Sequence, residues 1–538
     1  MPWHCDRTLL PRALSTTMAV MSEAEIIAWL ESGAPFTGEG GGPVEPVRRI
    51  DTHAASVFLA GDRAWKLKRP VSLGYLDFST VERRHAALET ELRLNRRSAP
   101  ALYLGLHRIS CAPDGALALD GAGETVDWLL EMRRFPDGAL LEDRVASEGL
   151  DDATVVALAD HVAAIHAGAD LCRVTDGAAR LRKVADDNGA VMARYPDWLD
   201  AGKVGTLRAR IDQLIDRQAP LLDARGREGR IRHCHGDLHL GNIALVDGKP
   251  LAFDRLEFDT ALATIDLLYD FAFLLMDLWE HGLFRQANML FNRYLDLSPE
   301  DENAIALLPL FMAMRASIRA HVLATQAEQE GGKGSTDAAL VGHARHYLDL
   351  ALHLVEPVPA RLIAVGGLSG TGKSTLARLI GGDVGAAPGA RILRSDVLRK
   401  RLAGVAPETR LDPAAYTREK SHAVYAEIDR LAGVALRSGR AVIADAMFAA
   451  GEERTAIRTV ADAADCRFDG IWLTLAEDER IARVEARVAD ASDADAGVVR
   501  VQTARHADVP ADWLMIETEG DMRALAARIE AILGFGQA

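Results

Sequence analysis

The chain has 538 residues, of which 49% are apolar and 26% are charged, and its formal net charge is −16. This length exceeds one ordinary hydrophobic core and predicts two or three globular domains. The acidic balance argues against nucleic acid as a partner, because a phosphate backbone needs a broad basic surface. The five cysteines form no C-x-x-C pair, which favours reduced thiols and a cytoplasmic location.

Residues 1–22 contain no apolar run followed by a small-residue cleavage site, which argues against a targeting peptide. We predict a disordered tail there, and the alternative is that the true start is Met18 or Met21. The most apolar region, 261–279, contains Asp266, Asp270 and Asp277. Three carboxylates are too costly for a lipid-facing helix, so we expect no interaction with a membrane.

Residues 23–354 are predicted to form one domain, with a small β-rich lobe followed by a larger helical lobe. Alternating apolar residues predict the first strands on either side of the turn Gly61-Asp62, and helical periodicity dominates from Asp151 onward. The predicted elements of the β-rich lobe are strands at 56–60, 64–67, 102–109, 115–119 and 125–132, and a helix at 80–97.

A first catalytic pattern is His235-Gly-Asp-Leu-His-Leu-Gly-Asn242, followed by Asp254 at the end of a short apolar strand. Asp237 and Asn242 are five residues apart, a spacing that suits a protein-kinase-like site. In such a site Asp237 deprotonates the acceptor hydroxyl, while Asn242 and Asp254 hold magnesium against the phosphates of ATP.

The nucleotide side of this site requires a lysine on a strand and a partner carboxylate on the next helix. Lys66 ends a predicted strand, and Glu91 on the following helix could pair with it. Lys68 and Glu89 are alternatives at the same parity, and the sequence does not decide between them.

The region 50–278 resembles the aminoglycoside phosphotransferase-like kinases, especially bacterial proteins in which such a unit is fused to a P-loop kinase. The resemblance implies a bilobal kinase fold in which Glu131, within a hinge at 130–135, reads adenine through the backbone. It also implies structural roles for His235 and Asp270. The segments that carry it are Thr52–Gly61, Trp65–Pro70, Leu76–Thr80, Glu91–Arg97 and His235–Asn242.

Two features depart from the pattern of these kinases. No G-x-G-x-x-G precedes the lysine strand, so the phosphates must be covered differently, and we interpret the Gly38–Gly42 run as a flexible loop. Arg255, not Phe-Gly, follows Asp254. An acidic aminoglycoside pocket among Glu257, Asp259 and Asp266 is conceivable, but no spacing demands it.

Residues 355–360, Val-Glu-Pro-Val-Pro-Ala, are predicted to be a linker, because proline interrupts a helix. Strand and helix patterns alternate in 361–538, which predicts an α/β domain with a parallel sheet. Its first loop, Gly367-Leu-Ser-Gly-Thr-Gly-Lys-Ser374, matches the complete P-loop pattern between a strand and a helix. Lys373 would contact the β and γ phosphates of ATP, and Ser374 would bind Mg²⁺. The predicted nucleotide-binding residues are Gly367, Ser369, Gly370, Thr371, Gly372, Lys373, Ser374 and Thr375.

Charged residues at later strand ends are candidates for the acceptor side. Asp396 could take the acceptor proton, and Arg399 could hold the acceptor. Asp445 is a candidate ligand of Mg²⁺ or substrate. Arg483 and Arg487, four residues apart on one helical face, could close over the phosphates. The plainer alternatives are strand caps and solvated helical arginines.

Residues 361–535 resemble the small-molecule P-loop kinases, which include gluconate kinase, zeta-toxin-like kinases and the 5′-polynucleotide kinase domain. The resemblance implies that Asp396 activates the acceptor, that Lys373 and Ser374 serve phosphate and magnesium, and that Arg483 and Arg487 are lid arginines.

The leading hypothesis is a bifunctional ATP-dependent kinase that phosphorylates hydroxyl groups of small molecules, with one site in each domain. The alternative is a single active P-loop kinase that is regulated by a nucleotide- or ligand-binding pseudokinase domain. The acidic balance counts against nucleic-acid end processing. The acceptors and the oligomeric state are not predicted by the sequence.

Overall fold

The computed structural model describes residues 21–36, 46–52, 54–73, 76–256, 260–331, 336–486, 491–504 and 511–535. The chain divides into two compact units, one within residues 1–136 and the other within Asp137–Leu256 and Thr260–Ala538. The boundary at Pro136 falls inside the region predicted as one kinase-like domain. The second unit therefore contains both the helical lobe and the P-loop domain.

The first unit is built on a six-stranded antiparallel sheet with the order β1-β2-β3-β8-β6-β7. The turn between β2 and β3 uses Gly61 at φ +58°, and the Thr80 hydroxyl caps α2 by accepting the N–H of Arg83. The elements are β1 (Arg48–Asp51), β2 (Ala55–Ala60), β3 (Arg63–Lys68), β4 (Ser72–Leu73), β5 (Leu76–Asp77), β6 (Tyr103–Cys111), β7 (Leu117–Leu119), β8 (Glu124–Arg133), α1 (Glu23–Glu31) and α2 (Val81–Asn95).

The second unit begins with the helical lobe, whose central helix α8 is buried from Leu267 to Trp279. Asp266 caps α8 by accepting the N–H of Leu268. The helices are α3 (Leu141–Ser147), α4 (Asp152–Ala167), α5 (Gly177–Met192), α6 (Ala201–Arg227), α7 (Thr260–Ala263), α8 (Leu267–Glu280), α9 (Phe284–Leu297), α10 (Leu308–Glu330) and α11 (Thr336–Leu354), with short 3-10 helices at Leu240–Asn242 and Pro299–Leu307. The strands are β9 (Ile231–His233), β10 (Ile243–Val246), β11 (Lys249–Ala252) and β12 (Thr264–Asp266).

One stretch of this lobe, Pro299–Gln329, has the length and mean hydropathy, 1.3, of a membrane span. However, 67% of its apolar window is buried inside the protein. Leu310, Phe311 and Met312 belong to the core of the second unit, as in the central helix of a globular domain.

The P-loop domain contains a five-stranded parallel sheet with the order β14-β15-β13-β16-β17, which confirms the predicted fold. Every residue of the central strand β13 is buried, as expected when helices cover both faces. The strands are β13 (Arg361–Gly367), β14 (Arg391–Arg394), β15 (Val442–Asp445), β16 (Arg467–Thr474) and β17 (Leu514–Glu517). The helices are α12 (Lys373–Ile380), α13 (Ser395–Leu402), α14 (Arg418–Arg437), α15 (Gly451–Ala463), α16 (Glu477–Glu485), α17 (Ala496–Ala504) and α18 (Met522–Leu533).

Candidate active sites

The P-loop joins β13 to α12 through a backbone whose conformation and close contacts require glycine. Gly370 and Gly372 have φ values of +89° and +90°, in the left-handed region. A Cβ atom on Gly370 would lie 2.6 Å from the carbonyl oxygen of Arg480. The loop therefore forms a tight turn before the N-terminus of α12, the arrangement that cradles phosphate groups.

Side chains around the loop hold it in shape. The Thr371 hydroxyl and the Lys373 ammonium both donate to the carbonyl oxygen of Leu368, at 2.8 and 3.1 Å. The Ser369 N–H donates to Gln502 Oε1 at 2.8 Å, and Gln502 Nε2 donates to Ser369 Oγ at 3.0 Å. Gln502, on α17, was missed by the sequence reasoning because it is distant along the chain.

Ser374, in the first turn of α12, lies beside Asp445, the last residue of β15. The Ser374 hydroxyl donates to Asp445 Oδ2 at 2.5 Å. Hydroxyl and carboxylate oxygens are the ligands that Mg²⁺ prefers, so this pair fits a magnesium site beside the P-loop. Arg394 Nε lies 3.7 Å from Asp445 Oδ2 and balances its charge.

A cavity of about 770 Å³ extends from the P-loop to α13. Its volume lies in the range of small-molecule sites. Of the predicted residues, it is lined by Ser369, Gly370, Gly372, Lys373, Ser374, Thr375, Asp396, Arg399 and Asp445. The structure therefore brings the predicted phosphate and acceptor residues into one cavity. Charged and aromatic lining residues that sequence reasoning missed are Arg378, Arg394, Arg410, Tyr416, Tyr425, Glu453, Asp493 and Asp495.

Asp396 was expected at the end of a strand, but it lies in the first turn of α13. Burial raises the pKa of its carboxyl group, although Arg394 opposes this shift. A carboxyl group with a raised pKa is a stronger base, as proton removal from a hydroxyl requires.

The acceptor-side wall is fixed by Asp493, which accepts hydrogen bonds from the Tyr416 hydroxyl at 2.5 Å and the Lys400 ammonium at 2.6 Å. The Arg399 guanidinium stacks on the Tyr416 ring, 4.7 Å from its centroid. Arg399 also donates to the carbonyl oxygen of Ala415 at 3.0 Å. These contacts keep a cation in the cavity wall.

Arg483 lies on the other side of the P-loop. It donates to the carbonyl oxygen of Thr518 at 2.6 Å, and its Nη1 is 3.5 Å from where a Cβ of Gly372 would be. This places the guanidinium beside the phosphate loop. Arg487, the second predicted lid arginine, lies outside the described residues.

The helical lobe groups the residues predicted for the first site. Asn242 Nδ2 donates to Asp237 Oδ2 at 2.9 Å and to the carbonyl oxygen of Asp237 at 3.0 Å. The N–H of Phe253 donates to the carbonyl oxygen of Asn242 at 3.0 Å, which brings the next residue, Asp254, to this loop. Asp254 has φ +60°, a strained value for a non-glycine residue and one that recurs at functional sites.

His239 is a residue of this loop that sequence reasoning did not assign. Its Nε2 lies 3.5 Å from Asp237 Oδ2. Burial alone would raise the pKa of Asp237, but His239 outweighs this effect and holds that pKa well below the usual carboxyl range. Asp237 is therefore ionised at neutral pH.

Asp270 anchors the catalytic loop from α8, as its predicted structural role requires. Its buried carboxylate accepts the N–H groups of His235 at 3.1 Å and Gly236 at 2.8 Å, and it contacts His166 Nε2 at 3.1 Å. His235 is fully buried, and its Nε2 lies 2.9 Å from the carbonyl oxygen of Phe253. Burial lowers the pKa of His235 to about 4, which suits a neutral packing residue.

The acidic pocket considered for an aminoglycoside is not available at Asp266. Arg225 binds both oxygens of this carboxylate at 2.6 Å, and the side chain is 9% exposed. Asp266 is thus a structural partner of a buried arginine. Glu257 and Asp259, like the Gly38–Gly42 run, lie outside the described residues.

In the first unit, Glu91 forms ion pairs with two lysines. Lys66 Nζ lies 2.8 Å from Glu91 Oε1, and Lys68 Nζ lies 2.8 Å from Glu91 Oε2, with Glu91 fully buried. Both alternatives therefore share one carboxylate, whereas Glu89 is exposed.

Glu131, which was expected in an adenine-reading hinge, lies inside the sheet. Its backbone is in register with Trp65 on one side and Gly105 on the other. Its carboxylate contacts Arg63 Nε and His107 Nε2, each at 3.0 Å. A residue paired on both sides is a poor reader of adenine, because its backbone groups belong to the sheet.

Two family models match this chain, one in each predicted domain. Residues 80–308 match the model of a phosphotransferase enzyme family, and residues 362–509 match the model of an AAA domain. The fold is similar to that of a choline/ethanolamine kinase family protein from Mesorhizobium loti, at 15% identity and TM-score 0.35 over 61% of this chain and 98% of that chain. It is also similar to a gluconokinase from Sinorhizobium meliloti, at 19% identity and TM-score 0.23 over 33% and 98%.

Relatives that match most of this chain exist in mycobacteria. The uncharacterized protein Rv2004c of Mycobacterium tuberculosis is 32% identical over 466 residues, which cover 85% of this chain and 90% of the relative. An uncharacterized protein of Mycobacterium bovis matches equally well. This chain belongs to the family of these proteins, and it joins an aminoglycoside phosphotransferase-like kinase domain to a P-loop kinase domain.

Proposed function

We propose that the P-loop domain transfers the γ-phosphate of ATP to a hydroxyl group of a small polar molecule. The observation that carries the proposal is the single cavity lined by Lys373, Ser374 and Asp396. A phosphate-binding loop and a candidate base in one cavity are the two requirements of such a kinase.

In the proposed reaction, the acceptor oxygen forms a bond to the γ-phosphorus while the bond to the bridging oxygen of ADP breaks. Asp396 takes the hydroxyl proton, and Lys373 and Arg483 stabilise the charge that develops on the phosphoryl oxygens. Ser374 and Asp445 would hold Mg²⁺, which neutralises phosphate charge when bound.

The cavity walls indicate the class of acceptor. Arginines 378, 394, 399 and 410 line the cavity together with carboxylates and two tyrosines, so its walls offer many charged and polar hydrogen-bonding groups beside their apolar surface. This composition fits a small molecule with several hydroxyl groups and an anionic group. Gluconate is therefore a sensible first probe, since it combines several hydroxyl groups with a carboxylate.

The kinase-like domain, predicted at 23–354, is proposed to be a second phosphotransferase. Asp237 would act as its base, and Asn242 and Asp254 would hold Mg²⁺. The hydrogen bond between Asn242 and Asp237 and the ionised state of Asp237 support this role. A cytoplasmic location is part of the proposal, because ATP is available there and the four cysteines that the structure describes are free.

The alternative is that this domain binds a nucleotide or ligand and regulates the P-loop kinase without catalysis. The departures from the kinase pattern at Arg255 and in the missing glycine-rich loop favour it. Nucleotide binding without transfer would distinguish it from the bifunctional proposal.

The test follows transfer of labelled γ-phosphate from ATP into a metabolite extract by wild type, Lys373→Ala, Asp396→Asn and Asp237→Ala. We expect Lys373→Ala and Asp396→Asn to delete one set of products and Asp237→Ala to delete another. If Asp237→Ala deletes nothing, the regulatory alternative replaces the second activity. If wild type labels no product, the phosphotransferase proposal is wrong.

A further inference from the structure

The outer edge of the P-loop sheet is covered by the helical lobe. β14 is the edge strand, and such a strand normally leaves a row of backbone groups unpaired. Here Asn292 Oδ1 on α9 accepts the N–H of Ile392 at 2.7 Å. One turn earlier, Asn288 Nδ2 donates to the carbonyl oxygens of Pro388 and Ala390, at 3.0 and 2.9 Å. Two asparagines thus take the place of a neighbouring strand.

A buried ion-pair cluster continues this contact. Arg391, the first residue of β14, is 1% exposed. Its guanidinium donates to Glu302 Oε1 at 2.6 Å, to Asp296 Oδ1 at 2.9 Å and to Asn292 Oδ1 at 2.9 Å. All three acceptors belong to the helical lobe. Because a buried guanidinium without partners is costly, these contacts fix the start of β14.

The same carboxylate also holds the end of α13. Arg401 Nη1 and Nη2 each lie 3.2 Å from Glu302 Oε1, and Arg401 Nη2 donates to the carbonyl oxygen of Leu295 at 2.9 Å. Arg391 lies five residues before Asp396, and Arg401 lies five residues after it. Glu302 therefore binds arginines at both ends of the short strand–helix unit that carries Asp396 and Arg399.

We propose that Glu302, a residue of the kinase-like domain, is a positioning residue for the acceptor side of the P-loop kinase. The proposal rests on the proposed function for the role of Asp396. A base must stay within a fraction of an ångström of its productive place, and supporting contacts supply that precision. The helical lobe thus completes the second active site through Glu302, without contributing a side chain to its cavity.

The test compares Glu302→Gln with Glu408→Gln in the full chain. Glu408 also joins the two halves of the second unit, through Arg293 Nη1 at 2.6 Å, but it is 42% exposed and contacts neither Arg391 nor Arg401. Glu302→Gln removes the charge between two guanidiniums while keeping the side-chain shape. Glu302→Asp keeps the negative charge, so it should retain part of the exchange protection and label transfer that Glu302→Gln loses.

Three readouts separate positioning from general destabilisation. Hydrogen exchange of the segment 392–402 should become at least tenfold faster in Glu302→Gln and stay unchanged in Glu408→Gln. The affinity of Glu302→Gln for a fluorescent ADP analogue should differ less than twofold from that of wild type. Label transfer into the Lys373-dependent product should fall at least tenfold, mainly in kcat.

Two results would overturn the inference. One is unchanged exchange of 392–402 in Glu302→Gln. The other is a parallel loss of ADP affinity and of protection across the whole P-loop domain, which would make Glu302 a general stabilising residue. If wild type labels no product, the proposed function fails, but the exchange readout still decides the positioning role.

Discussion

Two glycines of the P-loop domain allow the effect of steric contact in the phosphate loop to be separated from the effect of backbone strain. Gly370 and Gly404 both have positive φ values, +89° and +70°. A Cβ on Gly370 would lie 2.6 Å from the carbonyl oxygen of Arg480 and 2.8 Å from its Cβ. A Cβ on Gly404 would meet nothing within 4 Å.

The expected magnitudes follow from this difference. Placing alanine in the left-handed region costs about 1–2 kcal/mol at either position. Gly370→Ala adds steric overlap with α16, which costs about 1–3 kcal/mol more because a backbone atom must move. A shifted loop no longer presents its N–H groups to phosphate. If 2 kcal/mol of the strain opposes the nucleotide-bound shape, affinity falls about 30-fold, since 1.4 kcal/mol corresponds to tenfold.

The assay measures affinity for a fluorescent ADP analogue with Mg²⁺, together with the melting temperature of each variant. Gly404→Ala should lower the melting temperature slightly and leave the affinity within twofold of wild type. Gly370→Ala should lower both. Equal affinities in the two variants would refute the reasoning, because they would show that contact with Arg480 does not set the loop conformation.

Three further changes probe the two sites. Asp270→Asn should destabilise the catalytic loop by about 2–4 kcal/mol, since it leaves buried N–H groups without a charged acceptor. The Asp237-dependent product should disappear while the Lys373-dependent product persists. Equal loss of both products would contradict the anchoring role of Asp270. Burial lowers the pKa of His235 in the folded protein to about 4 from 6.5, so its contribution of about 3 kcal/mol to the free energy of unfolding is complete above pH 6.5 and is lost as the pH falls towards 4. The melting temperature should therefore drop less across this range in His235→Gln than in wild type. An equal drop would argue against burial of a neutral His235. Asp445→Asn should raise the Mg²⁺ concentration for half-maximal transfer at least tenfold, whereas Asp396→Asn should lower the rate without this change; a normal Mg²⁺ requirement in Asp445→Asn would exclude it as a metal ligand.

Features that depend on neighbours in the chain were predictable from the sequence. The turn at Gly61, the start of the helix near Thr80 and the P-loop each depend on a few consecutive residues, and the structure has them at the expected places. Asp237 and Asn242 lie five residues apart and meet for the same reason. Fold class followed from the alternation of these local patterns.

Features that depend on long-range packing were not predictable. Asp493 reaches Tyr416 across 77 residues of sequence, and Gln502 reaches Ser369 across 133. No periodicity marks such partners, because each is a polar residue on an otherwise ordinary loop or helix. The sequence also predicted the ends of elements imprecisely. Asp396 lies in a helix and not at a strand end, and Glu131 lies within the sheet and not in a hinge.

The asparagine-covered edge of β14 has a consequence for how this protein can be divided. A fragment cut at the linker 355–360 would lose α9, leaving the Ile392 N–H and the Arg391 guanidinium without the partners that now satisfy them. An uncovered edge strand is a template for intermolecular strand pairing, so the excised kinase should aggregate. The single chain therefore does more than tether the two domains: a P-loop domain produced by itself would need a new cover for that strand.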